Sequence, residues 1–342
     1  IHTRQTPTWT WAASQTVSQD IKASGAITRI VLRVRLTMSG SAAAAVQEDG
    51  FWRIMQALTL KGNSGVAYFS MGDEQIGRML HLLNLNDRVL PGVGHGPIAT
   101  TNDFIFVLHF GSRPRDQRGH DNPFDMSAFV PAFDDTGLKL DWLTTANTVV
   151  DDTLTISSAA MYATIYEVVG TKDDIMKEMW RQGVRTPMVP SSSYYVYQHT
   201  GTVSDVSKDL DIPGGAFMRR IAILAQDDTA TRPLRADDEV TEVAIKLPVG
   251  NQRVFFDDFP ALVYGQGRNQ SVLVDDNATT GGALAVGAGF GVVDLRQQGD
   301  ADYGLDLRNY KAGDFKLGVT IGSYAAGDDS FYWFDQLRPY RM

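Results

Sequence analysis

Apolar and polar residues alternate at every second position in many short stretches of this 342-residue chain. In the clearest stretch, 28–38, the apolar positions are Ile30, Leu32, Val34, Leu36 and Met38. A period of two puts these side chains on one face of a β-strand and Arg29, Arg33 and Arg35 on the other. Similar stretches, bounded by Gly, Asp, Asn or Pro, recur throughout and predict an all-β protein of sandwich or barrel type. They are 51–60, 66–70, 103–110, 137–142, 153–157, 161–168, 194–200, 219–226, 239–247, 253–256, 271–274, 303–309, 315–322 and 330–337.

Two segments have helical periodicity instead. In 73–86, the residues on one predicted helix face are Ile76, Met79, Leu80 and Leu83. In 171–183, Thr171 and Asp174 predict a capping box. The buried face of this second helix is predicted to consist of Ile175, Met176, Met179 and Trp180. Because a Pro- and Ser-rich stretch follows it, we expect the second helix to connect two halves of the chain.

Four short matches relate the first half of the chain to the second in the same order. "GAITR" (25–29) recurs as "GAFMR" (215–219), and a Gly-Asn hairpin at 57–69 recurs at 244–256. "TGLKLD" (136–141) resembles "YGLDLR" (303–308), and "TISS" (155–158) resembles "TIGS" (320–323). Their order predicts a duplicated β-sandwich, and the alternative is two unrelated sandwiches with common turn residues.

Composition narrows the range of functions. A net charge of −9 argues against a surface that neutralises phosphates, so we predict no direct sequence-specific binding of nucleic acid. The absence of cysteine excludes disulfides and thiolate metal sites. The longest apolar run, 283–293, is much shorter than the roughly 20 residues that a membrane-spanning helix needs.

Few residues form a pattern typical of catalysis. The histidines lack the spacing of a metal site, and no glycine-rich loop lies between a strand and a helix, so we predict neither an enzyme nor a required cofactor. Eight Asp-Asp pairs could bind structural Ca²⁺ or supply a glycosidase acid and base, but aspartate also favours the strand ends where most of these pairs lie. The binding of a structural Ca²⁺ by some of these pairs is therefore kept as a hypothesis. The pairs are Asp134–Asp135, Asp151–Asp152, Asp173–Asp174, Asp227–Asp228, Asp237–Asp238, Asp257–Asp258, Asp275–Asp276 and Asp328–Asp329.

Residues 1–24 are polar, rich in Thr and Gln, and contain Trp9 and Trp11. Tryptophan in an unstructured segment is unfavourable in water, so we expect an N-terminal arm whose tryptophans dock on the chain itself or on a neighbour. The arginines of 29–35 are interpreted as a solvated or interface face, because three charges in an acidic protein are weak support for a nucleic-acid site.

Two similar sandwiches, the helix at 171–183 and the closing strands expected in 129–168 ("FVPAFDDTGLKLDWLTTANTVVDDTLTISSAAMYATIYEV") form one overall pattern. In this pattern the chain resembles the double jelly-roll major capsid proteins of tailless icosahedral viruses with an internal membrane. The resemblance implies two tandem eight-stranded jelly rolls joined by a short helix, with a few short helices in loops. The implied segments are an arm at 1–24, a first jelly roll at 25–170, a connector helix and linker at 171–190, and a second jelly roll at 191–342.

The resemblance also implies a structural protein of the virion shell. Three chains would form a homotrimer whose six jelly rolls approximate a hexamer. Trimers would contact neighbouring capsomers, vertex (penton) and minor capsid proteins, and the underlying internal membrane. Loops 87–103, 111–127 and 276–302 would form towers and contacts between subunits. The candidate interface residues are Trp9, Trp11, Arg113, Arg115 and Arg118.

A carbohydrate-binding β-sandwich is the alternative, either a lectin-like module or a viral receptor-binding spike. Aromatic side chains would then stack on sugar rings, although aromatic residues in strands more often belong to the core. The candidates are Trp142, Tyr194, Tyr195, Tyr197 and Trp333. A glycoside hydrolase of the same fold class is a third hypothesis.

Overall fold

The computed structural model describes residues 1–40, 54–63, 65–72, 76–86, 101–113, 119–144, 154–199, 201–227, 234–235, 239–247, 253–259, 289–296 and 304–340. It divides into two compact units, of which the first contains Ile1–Ser192 and the second contains most of the remaining chain up to Arg338. The prediction of an all-β protein is confirmed. Within the described ranges, no helix is long and apolar enough to span a membrane.

The first unit contains ten strands and two helices among its described residues. These are β1 (His2–Gln5), β2 (Trp9–Thr10), β3 (Thr16–Asp20), β4 (Ala26–Gly40), β5 (Met55–Lys61), β6 (Ala67–Met71), α1 (Ile76–Asn86), β7 (Thr101–His109), β8 (Val130–Pro131), β9 (Lys139–Thr144), β10 (Leu154–Val168) and α2 (Lys172–Arg181). One antiparallel sheet has the order β1-β10-β4-β7, with β2 paired to β10 and β8 paired to β4. The other has the order β3-β9-β5-β6.

The second unit has the same kind of organisation. Its strands are β11 (Met188–Gln198), β12 (Val203–Asp211), β13 (Phe217–Asp227), β14 (Leu234–Arg235), β15 (Val240–Lys246), β16 (Arg253–Asp258), β17 (Phe290–Asp294), β18 (Leu305–Asp306), β19 (Lys316–Tyr324) and β20 (Asp329–Pro339). One sheet has the order β11-β20-β13-β14, with β17 and β18 also paired to β13, and the other has the order β12-β19-β15-β16.

Each unit is a two-layer sandwich, because side chains from both of its sheets meet in a core. In the second unit, Ile221 and Ile223 of β13 and Tyr332 of β20 pack in one cluster with Val243 of β15 and Val319 of β19. Alternation along each strand directs these side chains inward. In the first unit, the predicted inward residues of 28–38 are buried, including Ile30, Leu32 and Val34 at 0% exposure.

The two sandwiches correspond strand for strand. Strands β1, β10, β4 and β7 match β11, β20, β13 and β17, and strands β3, β9, β5 and β6 match β12, β19, β15 and β16. Three β-bulges also lie at equivalent places. The first is at Thr28 in β4 and at Arg219 in β13. The second lies between Met55 and Ala57 in β5 and between Val240 and Glu242 in β15. The third lies between Leu60 and Lys61 in β5 and between Ile245 and Lys246 in β15. Because bulges are specific local features that related proteins retain, these positions support duplication of one sandwich.

Two of the four sequence matches fall on equivalent strands, and two are wrong. The matches at 25–29 and 57–69 lie at β4 and at the β5–β6 hairpin, which correspond to β13 and the β15–β16 hairpin. By contrast, 136–141 reaches β9 and 155–158 lies in β10, whereas their supposed partners reach β18 and β19. The two matches are wrong because Leu-x-Leu and Thr-Ile occur in almost any strand, so their similarity does not identify equivalent strands. The hydrogen-bonded register of each strand does identify its equivalent in the other sandwich.

Residues 1–24, which composition predicts to be an arm, form three strands on the first sandwich. Strands β1 and β2 pair with β10, and β3 pairs with β9, so the segment contributes to both sheets. These strands contain only two to five residues each, too few for alternation to distinguish them from a polar tail.

Helix α2 begins at the predicted capping box and packs on the first unit. The Thr171 side chain accepts a hydrogen bond from the Asp174 N–H, and the Asp174 carboxylate accepts one from the Thr171 N–H. Ile175 and Met179 are fully buried, but Trp180 is 56% exposed, so its place in the predicted buried face is wrong. At 100° per residue, Trp180 lies about 140° around the helix from Ile175 and therefore outside the narrow contact face.

Glu167, near the end of β10, holds the beginning of the chain on the first sandwich. Its side chain is fully buried, and its Oε2 accepts hydrogen bonds from the N–H groups of Ser24 and Gly25 at 3.0 and 3.1 Å. Its Oε1 lies 3.4 Å from both His2 Nδ1 and Arg4 Nη2 in β1. A carboxylate buried in this way requires such partners, because its desolvation is otherwise strongly unfavourable.

Replacing Glu167 with alanine should lower the free energy of unfolding by about 2–4 kcal/mol, because the buried Gly25 N–H and the partly buried Ser24 N–H lose their acceptor. Urea denaturation followed by circular dichroism measures this loss. The control is Asp209→Ala, which removes a half-exposed carboxylate paired with Lys246 and should cost less than about 1 kcal/mol. Equal losses in the two variants would contradict the role given to Glu167.

Candidate functional site

The two tryptophans predicted at an interface both contact the first sandwich. Trp9 in β2 packs edge-on against Trp142 of β9, with 4.7 Å between ring centroids. Trp11 is only 8% exposed. Because β2 and β9 belong to different sheets, the Trp9–Trp142 contact joins the two layers of the sandwich. Of the two expected docking partners, the body of the chain is therefore the one that the tryptophans contact.

The three arginines predicted at an interface lie in the segment that follows β7. Arg113 is exposed, whereas Arg115 and Arg118 lie outside the described residues. Loops 87–103 and 276–302 also lie mostly outside them. A role for these arginines and loops between subunits stays a prediction.

Asp125 fixes the beginning and the end of the loop that carries Arg113. Its buried carboxylate accepts hydrogen bonds from the N–H groups of Arg113 and Ser127 at 2.6 and 2.9 Å, and it lies 3.4 Å from His109 Nε2. Burial alone would raise the pKa of Asp125, but His109 and the backbone donors outweigh it and hold the pKa below its usual value. The loop is therefore attached at its base, with the Arg113 side chain at the surface.

The aromatic residues considered for sugar binding are divided between core and surface. Trp142 and Trp333 are 1% and 4% exposed, so neither offers a ring face to a ligand. Tyr194 and Tyr195 on β11 are 36% and 46% exposed. Tyr197 is half-buried, with the Lys208 ammonium 5.7 Å from its ring centre. Because Tyr194 and Tyr195 are consecutive in one strand, their rings point to opposite faces of the sheet and do not form a shared platform.

Three carboxylates converge in the second sandwich. Oxygen atoms of Asp227, Glu239 and Asp328 lie within 4.8 Å of one another, and the last two residues are buried. They belong to the end of β13, the residue before β15 and the residue before β20. Oxygen donors of this type suit Ca²⁺, and two of the three residues belong to Asp-Asp pairs. The calcium hypothesis stays a prediction.

Two other Asp-Asp pairs have clear structural roles. Asp174 caps α2, and Asp135 accepts a hydrogen bond of 2.9 Å from the Asn63 N–H in the β5–β6 turn. Gly62 is needed in that turn because a Cβ there would overlap the Asp135 carboxylate. These contacts agree with the interpretation of aspartate as a residue of turns and strand ends.

His199 follows β11 and contacts the segment that carries Asp328. Its N–H donates to the Asp328 carbonyl at 3.0 Å, and its ring packs edge-on against Tyr197 at 4.5 Å. Burial lowers the pKa of His199, and Lys208 adds to this effect, while the Asp328 carboxylate opposes it. The folded protein therefore favours neutral His199.

A buried group of charges in the second sandwich is missing from the sequence predictions. Arg219 Nη2 and Arg220 Nε donate to the two carboxylate oxygens of Asp335 at 2.6 and 2.8 Å, and all three side chains are buried. Burial lowers the pKa of Arg219, although Asp335 opposes this. The available signal was an Asp directly after an apolar run in "YWFDQL" (332–337), together with two adjacent arginines near the start of an apolar strand.

The stability of the protein should fall as the pH decreases below about 6.5, the ordinary pKa of histidine. Because the pKa of His199 is lower in the folded state, the unfolded state takes up the proton first. The stabilisation that the folded state gains from neutral His199 is complete above about pH 6.5, and it is lost as the pH falls toward the pKa of His199 in the folded state. Thermal unfolding at a series of pH values measures the effect.

Substitution of His199 by asparagine should reduce this pH dependence. His120→Asn, at an exposed position, is the control and should keep the pH dependence of the original protein. An unchanged slope in His199→Asn would show that other groups cause the effect.

No family model and no curated protein matches the chain. Several solved structures do. A chain of the Sulfolobus turreted icosahedral virus structure has a TM-score of 0.71 at 15% identity, over 98% of this chain and 90% of that one. A chain of the PBCV-1 virus capsid has a TM-score of 0.57 at 11% identity, over 98% and 93%.

The major capsid protein of bacteriophage PM2 has a TM-score of 0.54 at 12% identity, over 96% of this chain and 94% of that chain. These similar proteins are double jelly-roll capsid proteins. Similarity at this level of identity concerns the fold, and it extends over both sandwiches. The chain therefore has the double jelly-roll fold.

Proposed function

We propose that this chain is a major capsid protein, a structural component of an icosahedral virion shell that assembles as a homotrimer. The main support is the extent of the structural similarity, a TM-score of 0.71 over 98% of this chain and 90% of a chain from a turreted icosahedral virus. A match over nearly the full length of both chains covers both sandwiches and their order, not one common β-sandwich alone.

The internal duplication gives this function a geometric reason. Each chain carries two sandwiches of one topology, with bulges at equivalent places, so three chains carry six similar blocks. A threefold assembly of such chains approximates sixfold symmetry and can occupy a hexagonal position of a lattice. In this proposal the chief partner is the chain itself, first within the trimer and then between neighbouring capsomers.

The proposal also includes vertex (penton) proteins, minor capsid proteins and an underlying internal membrane as further partners. Arg113, Arg115 and Arg118 are assigned to contacts between subunits. We assign no catalytic activity and no required cofactor. The carbohydrate-binding alternative has less support, because Trp142 and Trp333 are buried and leave few aromatic rings at the surface.

Light scattering of the purified chain should give about 113 kDa, three times 37.6 kDa. We expect this mass because shells of pseudo-hexagonal units are built from closed trimers. Negative-stain electron microscopy of the same sample should show particles with a hexagonal outline. A monomer at high micromolar concentration that binds glycans would contradict the proposal and support the carbohydrate-binding alternative.

A further inference from the structure

The outward surface of the sheet β1-β10-β4-β7 differs between the two sandwiches. In the first sandwich we call it the first outer face, formed by Val31, Arg33 and Arg35 of β4, Ala160, Tyr162 and Thr164 of β10, and Asp103, Ile105 and Val107 of β7. The register of the strands and the shared bulge give its equivalents in the second sandwich. This second outer face contains Ala222, Leu224, Gln226, Asp329, Phe331, Trp333, Phe290 and Val292, and the equivalent of Asp103 lies outside the described residues.

The second outer face is already covered within a single chain. Ala222 and Leu224 are 0% exposed, and Phe331 and Trp333 are each 4% exposed. These residues point away from the core of their own sandwich, because their neighbours Ile221 and Ile223 occupy that core. Burial on both sides explains why the middle of each strand is continuously apolar, at 221–225 in β13 and at 331–334 in β20, as expected for strands in the interior of a protein.

Most of the first outer face lacks this cover, with Val107, at 6% exposure, as the buried exception. The side chains of Arg33 and Arg35 are 36% and 54% exposed, and Tyr162 and Thr164 are half-buried. Its residues are more polar than their equivalents, since Arg33 corresponds to Leu224 and Thr164 to Trp333. The same surface of one fold is therefore buried in one copy and accessible in the other.

The charges on the first outer face form a fixed array. Arg33 Nη2 and Arg35 Nε donate to the two oxygens of Asp103 at 2.6 and 2.9 Å, and Arg33 Nη1 donates to Tyr162 Oη at 2.7 Å. These bonds lower the pKa of Asp103 to about 2. Arginine and tyrosine are the residue types that most often contribute to binding energy at interfaces, and an array held in advance loses little conformational entropy on binding.

The area of this surface suits a contact between subunits. At about 3.3 Å per residue and about 4.8 Å between strands, the four strands of the sheet cover on the order of 700 Å². A standard protein interface buries roughly 800 Å² on each partner. The face is thus large enough for most of one such contact, and it is polar enough to be soluble before assembly.

We propose that a second copy of this chain covers the first outer face in the assembled protein. This inference rests on the proposed function, in which six sandwiches of one topology surround one axis. In such a ring, equivalent faces occupy equivalent surroundings. A face that is buried within the chain in the second sandwich is then buried between chains in the first.

Cysteine protection tests this proposal directly, because the chain contains no cysteine of its own. The full-length variant T164C places one thiol on the first outer face, and T16C places one on the exposed edge strand β3 of the other sheet. Each variant is labelled with a maleimide as the assembled oligomer and again after dilution to monomer. Mass spectrometry gives the labelling rates.

We expect assembly to slow the labelling of T164C by about tenfold or more and to leave the rate of T16C nearly unchanged. Equal rates for T164C in oligomer and monomer would overturn the proposed face while leaving the capsid function in place. A parent chain that remains monomeric at high concentration would overturn both.

A second pair of variants measures the same contact by affinity. Thr164→Arg introduces an unpaired charge on the first outer face and should raise the dissociation constant of the oligomer by about 100-fold or more. Thr16→Arg is the matched control and should leave the dissociation constant unchanged. Normal assembly by a folded Thr164→Arg variant would count against the proposal. If the Thr164→Arg variant does not fold, the labelling rates of T164C test the proposal instead.

Discussion

Both sandwiches depend on the burial of alternate side chains along two strands, β4 and β13. Each of these strands lies inside its sheet and pairs with neighbours on both sides. Its inward residues, such as Ile30 in β4 and Ile221 in β13, are completely buried. The second layer exists to cover this apolar face, because a single sheet cannot remove it from water.

The sequence predicts the strands in which alternate side chains are buried. The strand at 28–38 and the capping box of α2 follow from local patterns, and both are present. Strand β12 was not predicted, because the charged residues of 203–211 hide the alternation of a strand at the edge of its sheet. The position of Trp180 was predicted wrongly, because helical periodicity does not give the width of the surface against which the helix packs.

The candidate site residues were harder to predict than the strands. Their surroundings come from segments distant in sequence, as Asp335 shows by pairing with Arg219 and Arg220 more than 100 residues away. Trp9 is another case, since its partner Trp142 lies in the other layer. Composition indicated that the tryptophans would dock, but only the paired strands identify the surface that receives them.

The two sandwiches resemble each other more closely in their backbones than in their surfaces. The bulges at Thr28 and Arg219 lie at the same point of β4 and β13, although the two residues differ in size and charge. By contrast, the outward residues at equivalent positions differ in character, as Thr164 and Trp333 illustrate. A bulge fixes the bend and register of a whole strand, whereas an outward side chain responds only to what lies against it.

The pairing of β1 with β10 also determines the order in which the chain can fold during synthesis. Residues 2–5 hydrogen-bond to residues 164–167, and Glu167 accepts hydrogen bonds from Ser24 and Gly25 across separations of 143 and 142 residues. Contacts between such distant residues form slowly, because a long loop must close before they provide any stabilisation. The ribosome must therefore produce almost half of the chain before the first strand finds its partner, because the edge of β10 that faces away from β4 is synthesised only then.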